Sequence, residues 1–473
     1  MKSLLLGNGI NIQFGGKAYT SEFIVKRIKY RAKLNSYEKV FGNILTGEEI
    51  IGIFEGLVGI ANDIRKGLYD AYIKDGDARM ALVDFKKRYN SNISILHEIM
   101  LEDWFFVLYM FFMKNHDLIE NLNNATQGFE RLILDAIYNG GEIQNLYQKM
   151  PKSVQKFLKG YDHIFTLNYD NNIEKLTGKQ VYHLHGDFSV LADSENPKVV
   201  QGFFRAEEDH SAVVIEGMEH CYCNALLNYS GQLKYKVAKD SHQLIKESES
   251  FSERYENDPK FRESVNSYKT KYPYKYKMIM TKIEHPELPI ATEYYFDKFE
   301  SLEDELHILG MSPNNDNHIF DIIRKNPSLK TIFFYCFSES EKNYIEQHFS
   351  DKFECRSAQE LWNKLGCKNK KYNCHYSIPT KIDRFVECFN ELSGDSVSTD
   401  QILSEIQQIP QFQMDRLCAL VKADLKSRNP DQNPMSEEEL ERSFASISYI
   451  ALQEGILPSV LYLICILNFE KIK

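Results

Sequence analysis

Nine cysteines occur in the 473-residue chain, and no two of them form a C-x-x-C pair. That absence argues against a zinc ribbon, and the odd, irregularly spaced count argues against a disulfide framework. Cys221 and Cys223 come closest, with His220 beside them; without a distant partner they read better as buried thiols than as metal ligands. Tryptophan is scarce, at Trp104 and Trp362 alone. No apolar run reaches the roughly 18–20 residues of a membrane span, so "VLYMFFM" and "VLYLICILNF" read as buried helix. The opening "MKSLLLGNG" has three leucines before Gly7, too few for a signal-peptide core. A reducing cytoplasm is the expectation. An excess of positive charge is lacking too: 57 Lys and Arg against 67 Asp and Glu leave a net charge of −10. Direct nucleic-acid binding and attraction to an acidic membrane are therefore not expected.

What is present is ordinary for a folded chain, with 43% hydrophobic and 26% charged residues, enough for a large core. The length calls for two or three domains. Short apolar strands are expected at 2–6, 163–167, 180–184, 305–309 and 330–337. Between them, "EEIIGIFEGLVGIANDIRKGLYDAYI" and "ISILHEIMLEDWFFVLYMFFMKNHDLI" carry apolar residues at the i, i+3, i+4 spacing of buried-faced helices. Strands alternating with helices predict an α/β fold, a Rossmann-like parallel sheet with helices on both faces. Large helical insertions are expected over about 21–158 and 188–288. The pattern breaks near 366–380, giving a first domain over 1–370 and a separate helical C-terminal domain over 381–473. A capping-box spacing from Ser436 to Glu439 opens one helix of that second domain.

Four strand exits carry the residues that matter chemically. Gly7-Asn8-Gly9 follows the first strand, and a Gly-x-Gly turn lets backbone approach a phosphate; alone it reads first as a tight turn at a strand end. Asn168 and Asp170 follow the second. A carboxamide there both donates and accepts, whereas Asp170 suits a helix cap. His183 and His185 alternate on the third, facing one side, and His185, at the exit and followed by Gly186, is the better general base. Gly310, Ser312 and Asp316 follow the fourth, where helix capping is the plainer explanation of the polar pair.

In combination these motifs resemble the sirtuin-like NAD-binding proteins, particularly the bacterial sirtuin-domain proteins of antiphage defence. Gly7-Asn8-Gly9-Ile10-Asn11 stands for the family's opening loop, with asparagines that also resemble abortive-infection proteins of the AbiH type. Thr166-Leu167-Asn168-Tyr169-Asp170 matches Thr-x-Asn-x-Asp, and His185-Gly186 matches the family's catalytic His-Gly. Gly310-Met311-Ser312 approximates the late Gly-x-Ser, with Asp316 one place late. The resemblance spans roughly residues 1–365. It implies NAD as substrate, bound by Gly7, Asn8, Gly9, Asn11, Thr166, Asp170, Gly310, Ser312 and Asp316, with Asn168 and His185 catalytic and no metal. The deacylases' paired C-x-x-C zinc module is missing, so the implied activity is hydrolysis of NAD to nicotinamide and ADP-ribose. An antiphage abortive-infection effector of this kind would depend on a homo-oligomer and on a phage-derived or partner-protein trigger. The rival expectation is a non-catalytic NAD- or ADP-ribose-binding regulatory protein of a defence complex.

Overall fold

The computed structural model describes residues 1–33, 36–207, 214–312, 316–349, 352–367, 409–428, 447, 450–451 and 458–467. The chain divides into two compact units, Met1–Ser21 with Phe54–Asn369, and Glu22–Ile53 with Lys370–Lys473.

The first unit is built on six strands: β1 Lys2–Leu6, β2 His163–Thr166, β3 Val181–His183, β4 Asp304–Leu309, β5 Leu329–Cys336 and β6 Phe353–Ser357. All pairings are parallel, in the order β3-β2-β1-β4-β5-β6. That order reverses direction between β1 and β4, the switch point at which doubly wound sheets hold their ligands. A strand covered on both faces has no polar side to offer, and β1 is accordingly continuous: Leu4, Leu5 and Leu6 are fully buried. The register aligns Tyr182, Phe165, Leu5, Ile308, Phe334 and Cys355 in one row across the sheet. Phe299 and Phe320 belong to the same core cluster, and each fully buried large side chain in it is worth about 1.5–3 kcal/mol.

Helices α1 Gly9–Gly15, α2 Ser21–Lys33, α3 Gly47–Arg65, α4 Gly76–Arg88, α5 Leu101–Lys114, α6 Leu122–Tyr138 and α7 Lys152–Lys159 lie between β1 and β2. α8 Asn172–Thr177 joins β2 to β3. The second insertion is helical as its composition suggests: α9 Val200–Glu207, α10 Gly231–Ser248, α11 Phe251–Asn257, α12 Pro259–Lys271 and α13 Pro273–Glu284. It has a small core of its own around Val200, Phe204, Phe251, Val265 and Ile279. α14 Phe296–Glu300 precedes β4, α15 Asn317–Lys325 follows it, and α16 Glu339–His348 and α17 Ala358–Lys364 flank β6.

β6 is the strand that the pattern of apolar runs misses. It is an edge strand, no residue in it is fully buried, and its polar sequence is what an unpaired edge tolerates. In the second unit, the described stretches beyond residue 408 include α18 Gln411–Arg428 and α19 Pro458–Leu467. The break at 366–380, from residue 368 onward, and the Ser436–Glu439 capping box lie outside the described residues. No helix among the described residues is long and apolar enough to cross a membrane.

Candidate functional site

β3, β2, β1 and β4 are consecutive neighbours in the sheet, so the exits carrying His185, Asn168, Gly7 and Gly310 form one edge. The two glycine exits are laced together by backbone: Gly7 N donates to Leu309 O at 3.0 Å and Gly9 N to Gly310 O at 2.8 Å. A Cβ on Gly7 would stand 2.5 Å from Gly310 O, and one on Gly9 2.5 Å from Gly310 Cα. Gly310 itself has φ +78°, where a side chain is strained. The missing side chains at 7 and 9 thus make room first for the facing loop, and phosphate approach would be a second use of the same bareness. Gly9→Ala should cost roughly 2–3 kcal/mol through forced separation of the two exits, read as a fall in the urea midpoint; an unchanged midpoint would contradict this packing.

The second loop locks onto the first. Asn168 Nδ2 donates to Gly7 O at 3.2 Å, and Asn11 Nδ2 donates to Asp170 Oδ2 at 2.7 Å. Asp170 Oδ1 accepts from Asn172 N and from Asn172 Nδ2, so the aspartate both receives the first helical N–H of α8 and anchors α1. Burial raises the Asp170 carboxyl pKa, against the lowering effect of those donors. Asn172 escaped sequence reasoning although it is fully buried; its amide also ties Ile143 O and Tyr147 N to this corner. Thr166 Oγ1 accepts from Asn168 N at 3.1 Å and so shapes the exit. Asn8 Nδ2 donates to Tyr19 O. Among the described residues, Asn11 Oδ1 is buried without a hydrogen-bond partner. An orphaned acceptor there suits a sugar hydroxyl, because a ligand donor would recover the desolvation cost of about 1–3 kcal/mol.

The two histidines have separate fates, because β3 ends at His183 and the alternation of side chains stops with it. His183 Nδ1 meets Asn168 O at 2.9 Å and Nε2 meets Glu174 Oε1 at 2.6 Å. A carbonyl and a carboxylate only accept, so both ring nitrogens donate and the ring is an imidazolium. Burial opposes this, yet Glu174 outweighs it and the pKa is raised. His183 is therefore a strut under Asn168. His185 is the opposite case: burial, the Lys234 ammonium and His318 hold it well below the usual imidazole range, leaving a neutral ring with a lone pair. Its Nε2 lies 3.1 Å from His318 Nε2, and the rings stack at 5.3 Å. The following turn is clamped by the second insertion. Leu226 N donates to His185 O, Asp187 N donates to Asn224 Oδ1, and a Cβ on Gly186 would run into Asn224 backbone.

Asp316 falls beside His185 and His318, the three offering ligand-type atoms within 4.8 Å of one another, while Ser312 is half-buried at the β4 exit. Burial, with Glu102 adding to it, pushes the Asp316 carboxyl up to about 6 against Lys234 and Arg88. Lys234, 2% exposed, pairs with Glu102 at 3.3 Å. Sequence spacing could not have found this group, since His185 and His318 are 133 residues apart.

Glu130 on α6 adds a pH-dependent load, its carboxyl pushed up to about 7 by burial, against Asn228 and Arg131. Its folded pKa lies above the unfolded value, so the fold loses stability as pH rises from about 4.5 through 7, by at most about 3 kcal/mol. Glu130→Gln should accordingly stabilise the protein at pH 8 and leave it unchanged at pH 4. Equal gains at both pH values in urea titrations would exclude a titrating carboxylate.

No family model, curated protein or solved structure matches the chain.

Proposed function

We propose that this protein is an NAD+ glycohydrolase that splits the nicotinamide–ribose bond. What carries the proposal is the placement of Asn168 and the neutral His185 on adjacent exits of a 3-2-1-4-5-6 parallel sheet, beside its switch point. The bond from C1′ to the nicotinamide nitrogen breaks with its electron pair going to the ring, which leaves as neutral nicotinamide. Water adds to the oxocarbenium-like C1′, and His185 takes its proton, giving ADP-ribose. Asn168 has its amide N–H committed to Gly7 O, which would set its carbonyl oxygen towards the ribose or the attacking water. Asn11 Oδ1 would accept from a ribose hydroxyl, Gly7, Asn8 and Gly9 would border the phosphates, and Gly310 with Ser312 the adenosine half. Fixed groups of this kind act by orientation and charge stabilisation.

An antiphage effector that depletes NAD+ in a homo-oligomer is the cellular role the motif resemblance suggests. The second unit, residues 22–53 and 370–473, is the candidate for sensing or assembly. One observation favours the non-catalytic alternative: Asn168 and His185 are both buried and already bonded within the protein, as a locked enzyme or a sensor would be. Incubating the purified full-length protein with NAD+ and following nicotinamide and ADP-ribose by chromatography separates the two. Stoichiometric appearance of both products is the expected result. Tight NAD+ binding with no product, under every trigger tried, would support the sensor.

A further inference from the structure

We propose that His185, Asp316 and His318 form a binding site for one divalent transition-metal ion of the zinc class. The three residues come from β3's exit and from the start of α15, and their ligand-type atoms lie within 4.8 Å of one another. The two Nε2 atoms are 3.1 Å apart. Two nitrogens bound to one tetrahedral zinc at 2.0–2.1 Å would be about 3.3 Å apart, so the rings already stand near the edge of a coordination shell. Imidazole, imidazole and carboxylate with an open fourth position is a donor set that zinc takes.

The two rings also meet tip to tip in a buried place: His185 is 3% and His318 1% exposed. At 3.1 Å between the Nε2 atoms one nitrogen must carry the hydrogen while the other accepts, whereas a shared ion takes both lone pairs. His318 Nδ1, unpartnered among the described residues, faces away from His185 and is not part of the donor set. Among the described residues no hydrogen bond reaches the Asp316 carboxylate either. The nearby cations do not forbid the ion. Lys234 is paired with Glu102 at 3.3 Å, and Arg88 with Asp103 at 2.7 Å, which leaves Asp316 as the carboxylate free to offset a metal's charge.

Such an ion would occupy the lone pair that His185 needs as a base. Metal binding would then hold the site silent, a consequence that rests on the NAD-hydrolase proposal, whereas the binding itself does not. Chelator-stripped full-length protein should be titrated with Zn2+ by calorimetry and with Co2+ by visible absorbance. One ion per chain and a Co2+ band are expected in the wild type, with affinity at least 10-fold weaker in both His318→Gln and the near-isosteric Asp316→Asn. His242→Ala, which disrupts the more exposed His242–Glu293–Asp297 group, should bind as the wild type does. Folding of each variant is checked by circular dichroism, and Asp316→Asn keeps the test decisive should His318→Gln fail to fold. No saturable binding in the wild type, or equal affinity in Asp316→Asn, would overturn the site whatever the protein does with NAD.

Discussion

His185→Ala and Asn168→Ala are each expected to lower NAD+ turnover by about 100-fold or more, the range that a positioned base or orienting group supplies. The two should fail differently. His185→Ala removes the proton acceptor but leaves the backbone bonds that join Gly7 and Gly9 to Leu309 and Gly310 in place, so NAD+ affinity should stay within a few-fold of the wild type. Asn168→Ala also removes the hydrogen bond to Gly7 O, which couples the β2 and β1 exits, so binding should weaken along with turnover. His183→Ala makes an informative comparison. It strips the strut from Asn168 O and leaves Glu174 facing a void, so it should resemble Asn168→Ala and not His185→Ala. Products quantified chromatographically, with affinity measured by calorimetry, decide the matter. Full turnover in His185→Ala would end the assignment of that residue as the base.

Asp103→Ala is expected to cost about 3–5 kcal/mol, the penalty for stranding a buried charge. The carboxylate sits in the first turn of α5 and is fully buried. It accepts from Arg88 Nε at 3.0 Å, from an Arg88 terminal nitrogen at 2.7 Å and from Tyr89 Oη at 2.7 Å. Removing it leaves a guanidinium whose side chain is 4% exposed without its counter-charge. The neighbouring Glu102 pairs with Lys234, which in turn depresses His185, so the loss should also reach the site as reduced turnover. Replacing the pair together, Arg88→Met with Asp103→Leu, should recover most of the lost stability, because no unpaired charge then remains. Urea unfolding of the two single variants and the double provides the cycle. A double variant no more stable than Asp103→Ala would mean that the hydrogen-bonding geometry, and not the stranded charge, sets the cost.

Legibility from sequence differed from strand to strand. β1, β2, β4 and β5 are apolar runs ended by glycine or polar residues, and burial on both faces leaves such a run little else to be. β6 was invisible because an edge strand needs no apolar run. Asn168 and His185 could be picked out because a polar residue at the end of a buried strand is out of keeping with packing alone. His183 could not be told from His185 by alternation, because protonation depends on Glu174 and Lys234, which arrive from α8 and α10. Asn172, Asn224 and His318 gave no sign of their positions. Each is an ordinary polar residue until the chain folds.

The chain's local pattern was enough to determine the α/β class, the helical insertions and the polar strand exits, since these follow from hydrophobic period and turn chemistry within a few residues. Strand order, the meeting of Gly7 and Gly9 with Gly310, and the His185–Asp316–His318 cluster were decided by the tertiary structure alone. The two β1 pairings, the glycine meeting and the cluster depend on contacts between segments more than a hundred residues apart in the chain, and a parallel sheet leaves no short turn from which such pairings could be read.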